Sequence, residues 1–149
     1  MSTLAQLEVR VSALLYDSTN VVFAVAQVDE GLRHALDEYS AVAPCVVDAV
    51  LTLPGSGREI ALSALAGLID VLDVVFPYSS TLAEVHPANR PPGFYLRFDD
   101  AQPLLIVESA AQPQLNDELR IWYTKRHTIQ NLDSAATTTI PRMHESLIA

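Results

Sequence analysis

Four histidines, one cysteine and 18 acidic residues are the side chains with chemistry to offer in this 149-residue chain. His34, His86, His127 and His144 are scattered, with no HExxH and no i, i+4 pair, so they read as surface or hydrogen-bonding residues and not as metal ligands. Cys45 has no CxxC partner and no local nucleophile signature; it reads as a small buried apolar residue, and a single cysteine allows no intrachain disulfide. The one glycine-rich loop, "PGSGRE" at 54–59, lacks the lysine, the spacing and the following helix of a phosphate loop, which leaves a hairpin turn. No GxSxG elbow occurs. Neighbouring carboxylates such as Asp37 and Glu38, or Asp99 and Asp100, point apart on a helix or turn and are solvated. "RIWYTKRH" sets Arg120, Lys125, Arg126 and His127 beside Trp122 and Tyr123. A nucleic-acid strand would look like this, but so would a strand with one charged face, and the acidic balance of the chain favours the latter. The residues assign no catalytic role, no cofactor and no metal.

The elements that carry these side chains change period midway. Leu4, Leu7, Val11, Leu14 and Leu15 form a helical stripe, with Ser2 or Thr3 as N-cap. "YDSTNV" supplies turn chemistry. A second helix is expected over 26–42, with Val28, Leu32, Ala35, Leu36 and Tyr39 inward and Asp29 and Glu30 in its first turn; Pro44 ends it. From Cys45 the pattern turns to strands: "CVVDAVLTL", "IALSAL", "GLIDVLDVVFPY" with one wet face, "FYLRFD", "PLLIVES", and "ELRIWYTK" with Leu119, Ile121 and Tyr123 on one side. Trp122 on that last strand should be at least partly buried. "SSTLAEVHPANRPPG" reads as a long surface loop, and Pro141 as the opening of a final helix. The expected architecture is α+β: a small helical bundle frame with an inserted antiparallel β-sandwich or barrel-like domain. Its expected parts are a helical hairpin at 1–44, a β-domain at 45–127, and a loop and helix start at 128–149.

Half the residues are hydrophobic, enough for a core, and the net charge is −9. A free-standing nucleic-acid binder presents a basic face, so this balance argues against one; it suits a wall past which DNA slides without sticking. The N-terminus reads as an amphipathic helix and not as a signal peptide, and no apolar run approaches the roughly 18 residues of a membrane span.

"LEVRVSALLYDSTN" and "VDEGLRHALDEYSAVAP" together resemble the N-terminal helix pair of the head–tail connector proteins of long-tailed bacteriophages, also called portal adaptor or head-completion proteins. "LIDVLDVVFPY" and "ELRIWYTKRHTIQNLDSAATTTIPRMHESLIA" resemble the β-insertion and the return to helix in a subset of that family, and "ALDEYS" and "TTTIPRMHESLI" are the most telling stretches. The resemblance implies a structural virion protein of the neck, made in the host cytoplasm. It implies a homo-oligomeric ring of about twelve copies closed by symmetry beneath the portal protein. Such a ring extends the channel for double-stranded DNA, which passes without specific binding, and bridges the portal to a stopper or tail protein. It implies no catalysis and no cofactor. Family members commonly continue beyond the point matching Ala149 into a further apolar, alanine-rich helix and a tail that docks on the portal. A stopper or tail-terminator ring is the alternative within assembly, a β-sandwich ligand-binding module the alternative from another class, and a small hydrolase has only the scattered acids in its favour.

Two sets of residues follow as expectations. Met143, His144, Leu147 and Ile148 are partner contacts, because Leu147 and Ile148 have no evident burial in a lone chain; 143–149 should then lie on another chain and not on its own domain. Glu8, Asp29, Glu30, Asp37 and Glu38, with Asp17, are the acids expected to face the channel.

Overall fold

The computed structural model describes residues 1–80, 90–91, 93–98, 102–109, 112–129 and 137–149. The surface-loop expectation for 79–93 falls largely outside them, and His86 and the Asp99–Asp100 pair wholly outside. Two compact units emerge, one from 1–45 with 126–149, the other from 46–125. The chain is α+β, with an antiparallel β block spliced into a helical frame.

In the helical unit, α1 spans Leu4–Leu14 and α2 spans Val25–Val42. Thr3 starts α1 with a reciprocal cap: its hydroxyl accepts from the Gln6 amide at 3.3 Å, and its own amide donates to the Gln6 side chain at 3.1 Å. Leu4 and Leu7 are buried, but Leu14 and Leu15 are exposed, so the inward stripe is shorter than the sequence spacing suggests. The helical period directs those two leucines toward the stripe, but the helix ends there and the chain reverses through Tyr16 (φ 57°), with both side chains left exposed. Helix α2 begins at Val25, which places Asp29 and Glu30 in its second turn. It stops at Ala43, whose backbone (φ −136°, ψ 73°) has left the helical region that a following proline disfavours. Leu4, Leu7, Val28, Leu32, Leu36, Ile129, Ile140 and Ile148 form one core.

Among the described residues the β unit has six strands: β1 Cys45–Thr52, β2 Glu59–Ala61, β3 Leu68–Tyr78, β4 Gly93–Phe98, β5 Pro103–Glu108 and β6 Glu118–Lys125. They form two three-stranded sheets, ordered β1-β6-β3 and β2-β5-β4, whose facing sides share a core containing Leu62, Val74, Leu105, Val107, Leu119 and Ile121. The arrangement is sandwich-like and not closed. "PGSGRE" is therefore not a hairpin turn, since β1 and β2 lie in different sheets. Leu53, just past β1, pairs instead with Asn116 and Asp117 ahead of β6 (both 2.9 Å), and Gly57, at φ 141°, donates to Pro113 while the chain crosses to the second sheet.

Strand β3 departs from simple alternation. Its pairing with β6 shifts register three times, so Val74, Val75 and Phe76 are all buried while Ile69 is exposed. Strand β6 alternates as its sequence does, with Leu119, Ile121 and Tyr123 inward and Trp122 half-buried. Cys45 is half-buried, more accessible than the small core residue expected of it.

Candidate assembly surfaces of the helical unit

The α1–α2 connection is built around Asp17. Its carboxylate accepts the amides of Val21 (2.9 Å), Val22 (2.9 Å) and Phe23 (2.7 Å). Tyr16 and Asn20 take left-handed backbone (φ 57° and 52°), and the Ser12 hydroxyl donates to Asn20 at 2.9 Å. These bonds hold a connection whose apolar side chains face outward: Leu14, Leu15, Val21, Val22 and Phe23 are exposed, and Tyr16 is 98% exposed. Beside it, Glu8, Ser12, Ser18, Asn20, Val25 and Val28 line a cleft of about 170 Å³.

At the other end of the helix pair, Arg142–Leu147 forms a 3-10 helix with Pro141 as its N-cap, in place of the expected α-helix start. Its bonds run over three residues, as from the His144 amide to the Pro141 carbonyl (2.8 Å), which is the 3-10 pattern. Glu145 is buried, and accepts the Ser2 amide at 2.5 Å and the Ser2 hydroxyl at 2.6 Å. The Thr138 amide donates to the Ser2 carbonyl at 3.0 Å, so the beginning of α1 is tied to the returning segment. Tyr39 and His144 (Nδ1) share a 2.6 Å hydrogen bond. His127 is buried, with Nε2 2.9 Å from the Ala43 carbonyl and Nδ1 2.8 Å from the Thr139 hydroxyl. The tautomer that donates from Nε2 and accepts from Thr139 satisfies both nitrogens, which makes His127 a bracket for the chain's return to the helices.

The sequence-predicted partner contacts divide. Met143 and Leu147 are 80% and 69% exposed. Ile148 is 5% exposed and sits in the helical core, and His144 is engaged by Tyr39. The expectation that 143–149 finds no place on its own domain is thus corrected. The 3-10 helix turns Ile148 in among Leu4, Leu7 and Ile140, a burial that sequence spacing does not reveal.

The acids divide as well. Asp17 turns inward onto three amides and is no free charge for a channel wall. Glu8 and Asp29 adjoin each other, and Asp29 Oδ1 is buried without a donor. Glu30, Asp37 and Glu38 are exposed, each beside a basic side chain: Arg33 at 3.1 Å, Arg126 at 3.1 Å and His34 at 3.6 Å. In the β unit, Arg120 pairs with Asp48 at 2.8 Å and lies 4.7 Å from the centre of the Trp122 ring. The arginines of "RIWYTKRH" are thus committed to neighbours, as a strand with a charged face requires. Among the described residues no group of three or more His, Cys, Asp or Glu side chains is placed to hold an ion. No helix there is long and apolar enough to cross a membrane.

Among the described residues three carboxyls depart from their ordinary values. The Phe23 amide holds Asp17 below the usual range against some burial, helped by the amides of Val21 and Val22. Burial pushes Glu145 up, but the Ser2 hydroxyl and amide, the Met1 ammonium and Arg10 outweigh it, and the net direction is down. Burial and then the Asp29 carboxyl push Glu8 up. A lowered carboxyl contributes stability that is complete above its unfolded value, near 4 (~3.9 for Asp, ~4.3 for Glu), and lost as pH falls through the lowered one. Glu8 has the opposite sign: its favourable term holds below its unfolded value and is lost as pH rises through the raised one. Denaturation followed by circular dichroism should therefore show stability falling below about pH 4. Asp17→Asn should lower stability at neutral pH and flatten that acid limb; Glu8→Gln should raise neutral-pH stability by supplying Asp29 with a donor. An unchanged acid limb in the Asp17 variant would refute its assigned role.

No protein-family model matches this sequence, and none of the curated proteins matches it significantly.

Proposed function

We propose that this chain is a structural virion protein, a head–tail connector that forms a ring beneath the portal, extends the DNA channel and bridges the portal to a stopper or tail. The observation that carries this reading is the braced apolar connection of the helical unit, where Tyr16, Val21 and Val22 stand in solvent while Asp17 spends its carboxylate on holding the backbone beneath them. Monomeric proteins seldom expose contiguous apolar surface beyond a few hundred Å². A surface that is both apolar and preorganised loses little entropy on docking, which is what a permanent assembly contact needs. The stretches that resemble connector proteins, "ALDEYS" and "TTTIPRMHESLI", lie in this same unit, and the net charge of −9 suits a wall along which DNA moves without adhering.

A β-sandwich ligand-binding module is the competing reading, favoured by exposed Tyr95 on β4. Native mass spectrometry and negative-stain microscopy separate the two. A connector forms closed rings, alone or on addition of portal rings. A protein that stays monomeric in both settings, yet binds a glycan array and loses that binding on Tyr95→Ala, would establish the rival.

A further inference from the structure

We infer that the two ends of the helical unit are the complementary halves of a head-to-tail contact between copies of this chain, the α1–α2 connection of one copy seating on the Met143–Leu147 surface of the next. The pairing rests on the connector reading and adds which surface meets which.

The two surfaces lie at opposite ends of one hairpin. Glu145 binds Ser2 at the start of α1, and His144 binds Tyr39 near the end of α2. The α1–α2 connection closes the other end. With 11 residues in α1 and about 1.5 Å of rise per residue, the ends stand roughly 16 Å apart. They are different surfaces, so a contact between them is heterologous; repeated, it closes into a ring or runs on as a filament.

Their chemistry is complementary. The connection end combines an outward apolar loop with Glu8 and Asp29, two adjoining carboxyls with no cation at ion-pair distance among the described residues. The opposite end combines exposed Met143 and Leu147 with Arg142, which is exposed and forms no ion pair among the described residues. Elsewhere in the helical unit the exposed acids Glu30, Asp37 and Glu38 already have basic neighbours. A head-to-tail contact brings an arginine without an ion pair toward two adjoining carboxyls that no cation neutralises, as apolar side chains meet around them. A stable interface covers about 800 Å² per partner, and a fully exposed Tyr16 with Leu14, Leu15, Val21 and Val22 around it supplies a large part of that apolar area.

Two variants test the pairing by complementation. Tyr16→Asp disables the connection surface, and aspartate tolerates the left-handed backbone at that position. Leu147→Asp disables the opposite surface. Both side chains are exposed, so neither change reaches the core; amide exchange at Leu32 and Leu36 verifies that each variant is folded. The full-length chains are examined separately and mixed, by sedimentation and native mass spectrometry. A single contact lacks the avidity of a closed ring, so the mixture is measured at about a hundredfold the concentration at which the unaltered chain assembles. Each variant alone should remain monomeric. The equimolar mixture should form a 1:1 dimer that grows no further, because only one intact connection surface and one intact opposite surface remain. If either variant still dimerises alone, or the mixture stays monomeric while the unaltered chain assembles, the head-to-tail pairing is overturned and the connector reading stands. If the unaltered chain never self-associates, alone or with portal rings added, these surfaces serve another partner, and the ring reading falls together with the pairing.

Discussion

Ile121→Ala should destabilise the β unit by about 2–5 kcal/mol, the range for removing a large aliphatic side chain from a core that relaxes incompletely. Ile121 is fully buried in the middle of β6, the central strand of its sheet, opposite Val74 on β3. Its neighbours on the inward face, Leu119 and Tyr123, are buried as well, and Leu105 and Val107 of the second sheet belong to the same core. Truncation leaves a void where the two sheets meet. Trp122 is the only tryptophan, half-buried on the same strand, so its emission reports this unit directly. Urea unfolding followed at that fluorophore should show the midpoint falling with little change in slope, because the surface exposed on unfolding is nearly the same. A loss below about 1 kcal/mol would mean that the sheets are not packed through Ile121 as described.

Glu145→Ala should release the N-terminal segment from the 3-10 helix. The carboxylate is 2% exposed and accepts both the amide and the hydroxyl of Ser2. Hydrogen bonds to a charged partner are each worth about 1.5–3 kcal/mol, and alanine removes both while leaving the Ser2 amide without its acceptor. The amides of Ser2 and Thr138 should then exchange faster by at least tenfold, since Thr138 donates to the Ser2 carbonyl and loses its anchor. Glu145→Gln keeps an acceptor but loses the charge, and should fall between the two. Protection of Thr138 that is unchanged in the alanine variant would show that the isolated bridge between Thr3 and Thr137 suffices to hold the segment.

Several features are local enough to be legible in the amino-acid order. The α+β class follows from the change of period at Pro44, where spacing that buries Val28, Leu32 and Leu36 on one helix face gives way to the alternation of β1. The alternation in "ELRIWYT" places Leu119, Ile121 and Tyr123 inward and leaves Trp122 half-buried, because a pleated strand permits nothing else. The Thr3 cap is a matter of three residues. "YDSTN" announces a turn, and the apolar "VVF" directly after it is the one sequence signal that the turn presents hydrophobic side chains outward.

Other features depend on residues far apart in the chain, and these only the tertiary structure decided. The partner of β1 is β6 and not β2, so a glycine-rich segment with the look of a hairpin became a crossing between sheets. The phase of β3 is reset by register shifts against β6, which no alternation within β3 encodes. Ile148 is buried because a short 3-10 helix turns it toward Leu4 and Leu7, and Glu145 is buried because Ser2, 143 residues away in sequence, supplies its donors. Asp17 is turned from a surface acid into a brace by three amides that reach it once the connection has folded. Periodicity states which face of an element turns inward, since that is settled within a few residues. It cannot state what the face meets, because packing partners and the donors of a buried carboxylate are chosen by contacts between segments that the sequence keeps apart.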